Sequence, residues 1–301
     1  QKMGYPSEVF ATPTGIFVSC MSETGGAKTT LCRIRESGID LEKLCWLEEI
    51  FEDVFSGKTT VSNAQKILHR KASAVPIYSR LQTFFAAWLS GFSLSYAAYR
   101  SPTAAFASGV IATVTWWLSG PGLRDKVSSS IFRDFIGCVA TLGLASVCQL
   151  FLPAPFDAYT IGGIIILVPG LSLTTAIAEL ADQNLVSGTA KLMQAMLTLL
   201  AIGMAYLLFY DLSESMDLTQ TLLSTRKKTD FLISAIGLLV SVTCFSVILK
   251  VPRKSVVFAA LTGFVGWVVM RQFNKVDYIV AASYTASLSV GITSLFLGKV
   301  F

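Results

Sequence analysis

The run "IILVPGLSLTTAIAEL" (165–180) is apolar enough for a membrane, yet a proline and a glycine interrupt it and hydroxyls and a carboxylate follow. Pro169 has no N–H, so the carbonyl of Ile165 loses its helical partner, and the ring crowds the same turn. Gly170 then lets the backbone turn freely. Unsatisfied backbone is expensive in hydrocarbon, so a break at this depth belongs against protein or a watery cavity. Ser172, Thr175, Glu179 and Asp182 follow at spacings of 3, 4 and 3, which lines them along one helical face. The chemistry this allows is capture of a small polar solute. Its carboxylate would face the N–H groups of the new helix start after Gly170. Its hydroxyl or ammonium would meet Ser172, Thr175 or Glu179. Glu179 is also the first candidate for a coupling proton, with Asp182, nearer the exit, as the second. The plainer reading is a simple kink with Glu179 and Asp182 at the membrane interface.

Other polar residues are expected to support this stretch. Asp134 and Gln149 in the third apolar segment and Gln194 in the fifth sit at membrane depth, where they read as interhelical hydrogen-bonding groups facing the broken helix. Asp157 reads as the cap of the fourth segment, at its outer mouth. No catalytic residue is expected: Thr14, Ser19, Asp40, Glu48 and Glu49 lack a nucleophile elbow and a base. "SGKTT" (56–60) is no phosphate loop, because Glu52 stands where the first glycine must be; it reads as a helix-to-helix turn. His69 beside Arg70 and Lys71 reads as a helix end, and Arg33 and Arg35 share one face of a strand. Six cysteines without CxxC spacing and a single histidine argue for reduced thiols and against a metal.

The elements that must position these groups fall into two compositions. Of 301 residues, 53% are hydrophobic and 14% charged, against about 25% charged in soluble domains. The net charge of +5 is spread along membrane flanks rather than clustered, which excludes a nucleic-acid surface. Residues 1–78 read as a small α+β layer: β-like runs at 8–13, 14–20 and 29–35, a Gly25–Gly26 turn, a helix opened by Asp40, and a second helix over 62–71. Three short strands need a partner face. Apolar segments follow at about 81–99, 102–119, 130–152, 158–181, 188–210, 230–250, 255–271 and 277–298. In the first two, Ala87, Gly91, Ser95 and Ala104, Ser108, Ala112 recur every four residues, a pattern for close helix contact in lipid. Arg70, Lys71, Arg80, Arg124, Lys126, Arg133 and Lys191 place residues 1–78 in the cytoplasm; Arg226–Lys228, Arg271 and Lys275 run against this in the second half.

The fold class expected is therefore a polytopic α-helical membrane protein with a small N-terminal cytoplasmic α+β domain. Residues 79–211 form a five-span module with a broken fourth helix, 212–229 a linker, and 230–301 three spans of an incomplete second module. Gln1 and Phe301 suggest that the chain continues at both ends.

"GIIILVPGLSLTTAIAELADQNLVSGTAKL" resembles the membrane motif of the threonine/serine exporter family at Val168, Pro169, Gly170, Thr175, Glu179, Gly188 and Lys191. "FATPTGIFVSC", "TTLCRIRESGIDLEKL" and Pro76 resemble that family's cytoplasmic domain, and 230–301 resembles the start of its second module, which some members carry as a separate protein. The resemblance implies a secondary transporter in the inner membrane that exports threonine and serine by antiport against protons. It also implies no cofactor, and a homo-oligomer or partner that completes the second module. Thr175 and Glu179 stand where relatives often have Asn and Asp. The alternatives kept open are a dicarboxylate exporter, which related two-part systems suggest, and a channel or partner subunit without coupled transport.

Overall fold

A computed structural model describes residues 7–12, 14–21, 27–34, 38–215, 230–273 and 279–300. Three strands, β1 (Ser7–Thr12), β2 (Gly15–Met21) and β3 (Ala27–Arg33), form an antiparallel sheet in chain order. Its register sets Phe10 opposite Phe17 and Phe17 opposite Leu31, one apolar row across three strands. Phe10 and Leu31 are more than half exposed. The Gly25–Gly26 turn, Pro13 and Arg35 lie outside the described residues.

Helix α1 (Leu41–Phe55) opens on Asp40, whose Oδ1 accepts from the Lys43 N–H at 3.2 Å. The 56–60 stretch is the turn expected: Gly57 takes φ +76°, and the Thr60 hydroxyl caps α2 (Val61–Ala72).

The apolar segments become α3 (Arg80–Tyr99), α4 (Pro102–Ser119), α5 (Ser130–Phe151), the pair α6 (Phe156–Leu167) and α7 (Gly170–Ala181), α8 (Leu185–Ser215), α9 (Phe231–Ile248), α10 (Val256–Phe273) and α11 (Ile279–Val300). Among the described residues α5, α8, α9 and α11 are long and apolar enough to cross a membrane, and α6 with α7 makes a fifth, bent candidate. Helices α3 and α4 miss that measure because Ser, Ala, Gly and Thr dilute their hydropathy. Ala87, Ser95, Ala104, Ser108 and Ala112 have no accessible surface. Backbones meet there: a Cβ on Gly162 of α6 would lie 2.6 Å from the Gly91 Cα and from the Ser108 Oγ. Ser95 Oγ donates to the Ala158 carbonyl at 2.6 Å, and Gly162 N–H donates to Ser108 Oγ at 3.2 Å, so the crossing is polar as well as close. Leu142, Cys138, Ile111 and Tyr159 complete the apolar core around α6.

Helix α9 lies on α3, where a Cβ on Gly237 would be 2.6 Å from the Ala97 Cβ; α10 packs on α9 and α11 on α10. Arg100 at the end of α3 pairs with Asp230 at the start of α9 (3.8 Å). At the opposite end, the turn after α9 receives the N-terminal part. Lys250, in left-handed backbone (φ 56°), donates to Asp40 Oδ2 at 2.8 Å, and Leu41 N–H meets the Leu249 carbonyl at 3.3 Å. Burial pushes the Tyr78 pKa up, and its hydroxyl donates to the Val251 carbonyl at 3.0 Å. Of the expected linker 212–229, α8 takes the part through Ser215, and 216–229 lies outside the described residues.

Candidate functional site

The fourth apolar segment is broken where the proline predicts. Val168 N–H still reaches the Ile164 carbonyl (3.2 Å), but the next residue has no N–H to give, and α6 stops. Pro169 adopts φ −80°, ψ 50°, and Gly170 N–H turns back to the Val168 carbonyl at 2.8 Å, an inverse γ-turn. The axes of α6 and α7 differ by 40°. With α6 and α7 each about 18 Å long by helical rise, the bent pair still spans about 32 Å, enough for the hydrocarbon. The pair starts at one end of α5 and finishes toward the other. Phe156 follows the end of α5, whereas Gln194 on α8 reaches Ser130 at the start of α5 (3.3 Å), so α6–α7 ends on the other side.

The break lies off the middle of the bundle. Leu167 packs beside Gly137, whose Cβ would lie 3.3 Å from it and 3.6 Å from Ser119, the last residue of α4. The wall next to it on α6 is polar: Thr115 and Thr141 share a 2.6 Å hydrogen bond, and the space for a Cβ on Gly163 is filled by both. Gly170 has nothing within 4 Å of a Cβ, and no side chain caps α7. Its first backbone bond within the helix is Leu173 N–H to the Pro169 carbonyl, which leaves the N–H groups of Leu171 and Ser172 as the donors of the new helix start.

Ser172, Thr175 and Glu179 are half-buried on the side of α7 that carries its one buried residue, Ala176, while Thr174, Ile177 and Ala178 are exposed. Thr175 Oγ1 donates to its own helix at Leu171 (2.9 Å). Glu179 is engaged by α8: Lys191 Nζ donates to Oε1 and Ser187 Oγ to Oε2. The two donors are one turn apart on α8 and hold both carboxylate oxygens. Leu180 fits against Gly188, with its Cγ 2.8 Å from where a Cβ would stand. Helix α7 packs along α8 as a hairpin. Asp182 is the exposed C-cap residue of α7, in the turn to α8.

Helical rise separates two places that the sequence reading joined. Gly170 and Glu179 are nine residues apart on α7, about 13 Å along the axis, which is more than a single small metabolite spans. A solute whose carboxylate meets the start of α7 reaches Ser172 and Thr175, not Glu179.

The supporting residues divide. Gln194 makes the interhelical bond expected, to Ser130 of α5. Asp134 is half-buried on the same face of α5 as Ser130, four residues on. Gln149 departs from expectation, since its Nε2 is buried without a hydrogen-bond partner. Asp157 departs too. Pro155 is the N-cap of α6 and no side-chain cap bond forms; exposed Asp157 lies inside the first turn, where its charge suits the helix dipole instead. Lys191 and Ser187 are the residues that sequence reasoning missed as partners of Glu179. The signal was the polar turn Asp182–Gln183–Asn184 between two helical segments, which folds 179 back toward 187 and 191. No group of three or more metal-ligating side chains occurs among the described residues. A separate cavity of about 330 Å³ between α3 and α4, lined by Phe84, Trp88, Val110, Thr113, Val114 and Trp117, has no charged wall.

Comparison with known proteins bears on the whole chain. A family profile described as "Putative threonine/serine exporter" matches residues 1–213, and a second, described as "Threonine/Serine exporter, ThrE", matches residues 234–301. A curated Mycobacterium tuberculosis protein, "Probable threonine/serine exporter", is 24% identical over 299 residues. The match takes in 93% of this chain and 55% of that protein, so the chain spans about half the length of its curated relative. No solved structure matches significantly. With the first profile covering more than two thirds of its length, the chain belongs to the threonine/serine exporter family.

Proposed function

We propose that the protein is a secondary transporter that exports small polar metabolites, foremost threonine and serine, from the cytoplasm across the inner membrane in exchange for protons. The observation that carries this reading is the broken crossing whose second half ends in a half-buried carboxylate, Glu179, held by a neighbouring helix. The break supplies backbone donors and the hydroxyls of Ser172 and Thr175 to the cargo. Two turns on, Glu179 carries the coupling proton, with Asp182 as the relay toward the aqueous side. Protonation removes the charge that Lys191 and Ser187 hold, and this frees α7 from α8. The bent pair hinges at Val168–Pro169–Gly170, where the Gly170 Cα faces open space.

Orientation follows the distribution of cations. Arg80, Arg124, Lys126, Arg133, Lys191, Lys250, Arg253 and Lys254 lie at the end that holds the N-terminal α+β part, against Arg100 and Arg271 at the other among the described residues, so that part is assigned to the cytoplasm. Its uncovered apolar row, Phe10–Phe17–Leu31, suits an oligomer or a partner subunit, which also completes the second membrane module.

The test is flux in proteoliposomes holding the full chain. Threonine counterflow that follows an imposed pH gradient and is lost in Glu179→Gln is the expected result. Flux indifferent to the gradient favours a channel, and succinate competing better than threonine favours the dicarboxylate reading.

A further inference from the structure

The cavity between α3 and α4 takes no part in the broken helix pair, and its walls suit a different guest. The two helices run antiparallel: Gly91 meets Ser108 and Ala112, and Gly109 meets Trp88. Toward the Arg80 end, Phe84, Trp88, Val110, Thr113, Val114 and Trp117 line a space of about 330 Å³. Gly109 lets this wall form. The Trp88 indole takes the room of its missing side chain, with Nε1 3.0 Å from where a Cβ would stand. Thr113 spends its hydroxyl on the Gly109 carbonyl at 2.9 Å. No third helix lines the space among the described residues, and Phe84, Val110 and Trp117 are 44%, 42% and 52% exposed. It is therefore a groove open to the outside of the bundle. Nothing in it complements a small polar metabolite, whereas hydrocarbon fits it.

One end of the groove is basic. Arg80, Phe84 and Trp88 follow at four-residue spacing, which sets Arg80 in line with the α3 wall, one turn beyond Phe84. The antiparallel register brings Arg80 level with the end of α4 at Ser119. The turn after α4 folds back on Trp117: Gly122 N–H donates to the Trp117 carbonyl at 2.7 Å, and a Gly122 Cβ would lie 2.6 Å from the indole. Arg133 pins that turn through the Ser119 and Val127 carbonyls (3.3 and 2.6 Å). The same turn carries Arg124 and Lys126, both exposed, with exposed Asp125 between them. Trp117 thus stands where the apolar groove gives way to cations, the usual level of an interfacial indole.

We propose that this groove is a binding site for an anionic phospholipid of the leaflet at the Arg80 end, assigned above to the cytoplasmic side. One acyl chain lies between Trp88 and Trp117, and the phosphate sits among Arg80, Arg124 and Lys126. Val110 to Trp117 covers about 10 Å of α4 by helical rise, so the groove holds the upper part of a chain and leaves the tail in the bilayer. A zwitterionic lipid offers the same chain but brings its own cation to a basic mouth, so the headgroup charge sets the preference. The site borrows only the membrane orientation of the transport reading, and it holds whatever the cargo is.

The experiment titrates the purified full chain in mild detergent with dioleoyl phosphatidylglycerol or dioleoyl phosphatidylcholine and counts bound lipid by native mass spectrometry. Forms of both lipids with brominated chains are read by tryptophan quenching. The unmodified chain should hold one phosphatidylglycerol about tenfold or more tighter than phosphatidylcholine, the order that two or three basic side chains supply at a membrane surface. Brominated phosphatidylglycerol should quench more than its zwitterionic counterpart at equal lipid, and that excess should disappear in Trp88→Phe with Trp117→Phe. Arg80→Gln with Lys126→Gln alters only exposed positions and should bring the two lipids within about threefold. Val110→Phe with Val114→Phe fills the groove and should weaken phosphatidylglycerol at least fivefold. Equal affinity of the unmodified chain for the two lipids overturns the inference, as does undiminished binding by the filled groove. Displacement of the lipid by millimolar glycerol phosphate would show a headgroup site that ignores the groove, and the inference fails. If filling the groove changes the oligomeric state and not lipid binding, the groove is a contact between copies and the inference fails too. The transport reading survives each of these results, because it is decided by threonine flux.

Discussion

Replacing Pro169 by alanine should straighten the α6–α7 pair. An N–H at 169 can reach the Ile165 carbonyl, and the donors at 170, 171 and 172 can then bond to 166, 167 and 168. Gly170 N–H already has an acceptor in Val168, so the net gain is three backbone bonds. At about 0.5–1.5 kcal/mol each they contribute roughly 1.5–4.5 kcal/mol, and removing the ring adds to that. Against this stand the two charge-assisted bonds of Glu179. Lys191 is exposed enough that each is discounted to about 1 kcal/mol, roughly 2 kcal/mol together. Apolar contact between α7 and α8 adds little to that side, because lipid replaces it almost evenly. The straight helix should win. Undoing the 40° bend carries residue 181, about 16 Å from the hinge, through roughly 11 Å, and pulls Glu179 about 9 Å from Lys191. Electron-electron resonance between spin labels at the exposed positions Phe132 and Ala181, in a background free of native cysteines, should show a distance change of that order. Transport should fall at least tenfold with no loss of thermal stability. An unchanged distance together with normal flux would refute the claim that Pro169 sets the bend and that the bend serves transport.

Two further outcomes follow from the fold. Gln149→Leu should leave stability unchanged or raise it by about 1–2 kcal/mol in a thermal-unfolding assay, since it removes a buried amide nitrogen that has no partner; a clear loss would mean that Nε2 is bonded in the membrane. Asp40→Asn should keep the α1 cap and lose only the ion pair with Lys250, about 0.5–1 kcal/mol, whereas Asp40→Ala should lose about 1 kcal/mol more, read as faster amide exchange in α1; equal effects would show that the cap contributes nothing.

What the sequence made legible is what short-range physics controls. A proline without an N–H must end α6 one residue earlier, and spacing alone puts Ser172, Thr175 and Glu179 on one side of α7. Small residues at every fourth position forecast close contact for α3 and α4, though not that α6 would be the third helix there, and Asp40 followed by Leu41 and Leu44 forecast the α1 cap. Long-range partners were not legible. The Glu179–Lys191 pair needs the hairpin to be closed before two residues twelve apart can meet. The Asp40–Lys250 contact joins residues 210 apart, and nothing local to either announces the other. Asp157 misled because acidic residues favour both the cap and the first turn, and only the backbone shows that Pro155 already holds the cap position.

The small-residue packing of α3 and α4 reaches back to how the protein is made. Both pack small residues against α6, and α3 also against α9, so neither is fully packed until those later helices stand beside it. The translocon must retain the pair, or admit it as a hairpin, until later segments arrive. Ribosomal pauses or mutations that delay α6 would then expose these two helices to quality-control proteases before the finished bundle exists.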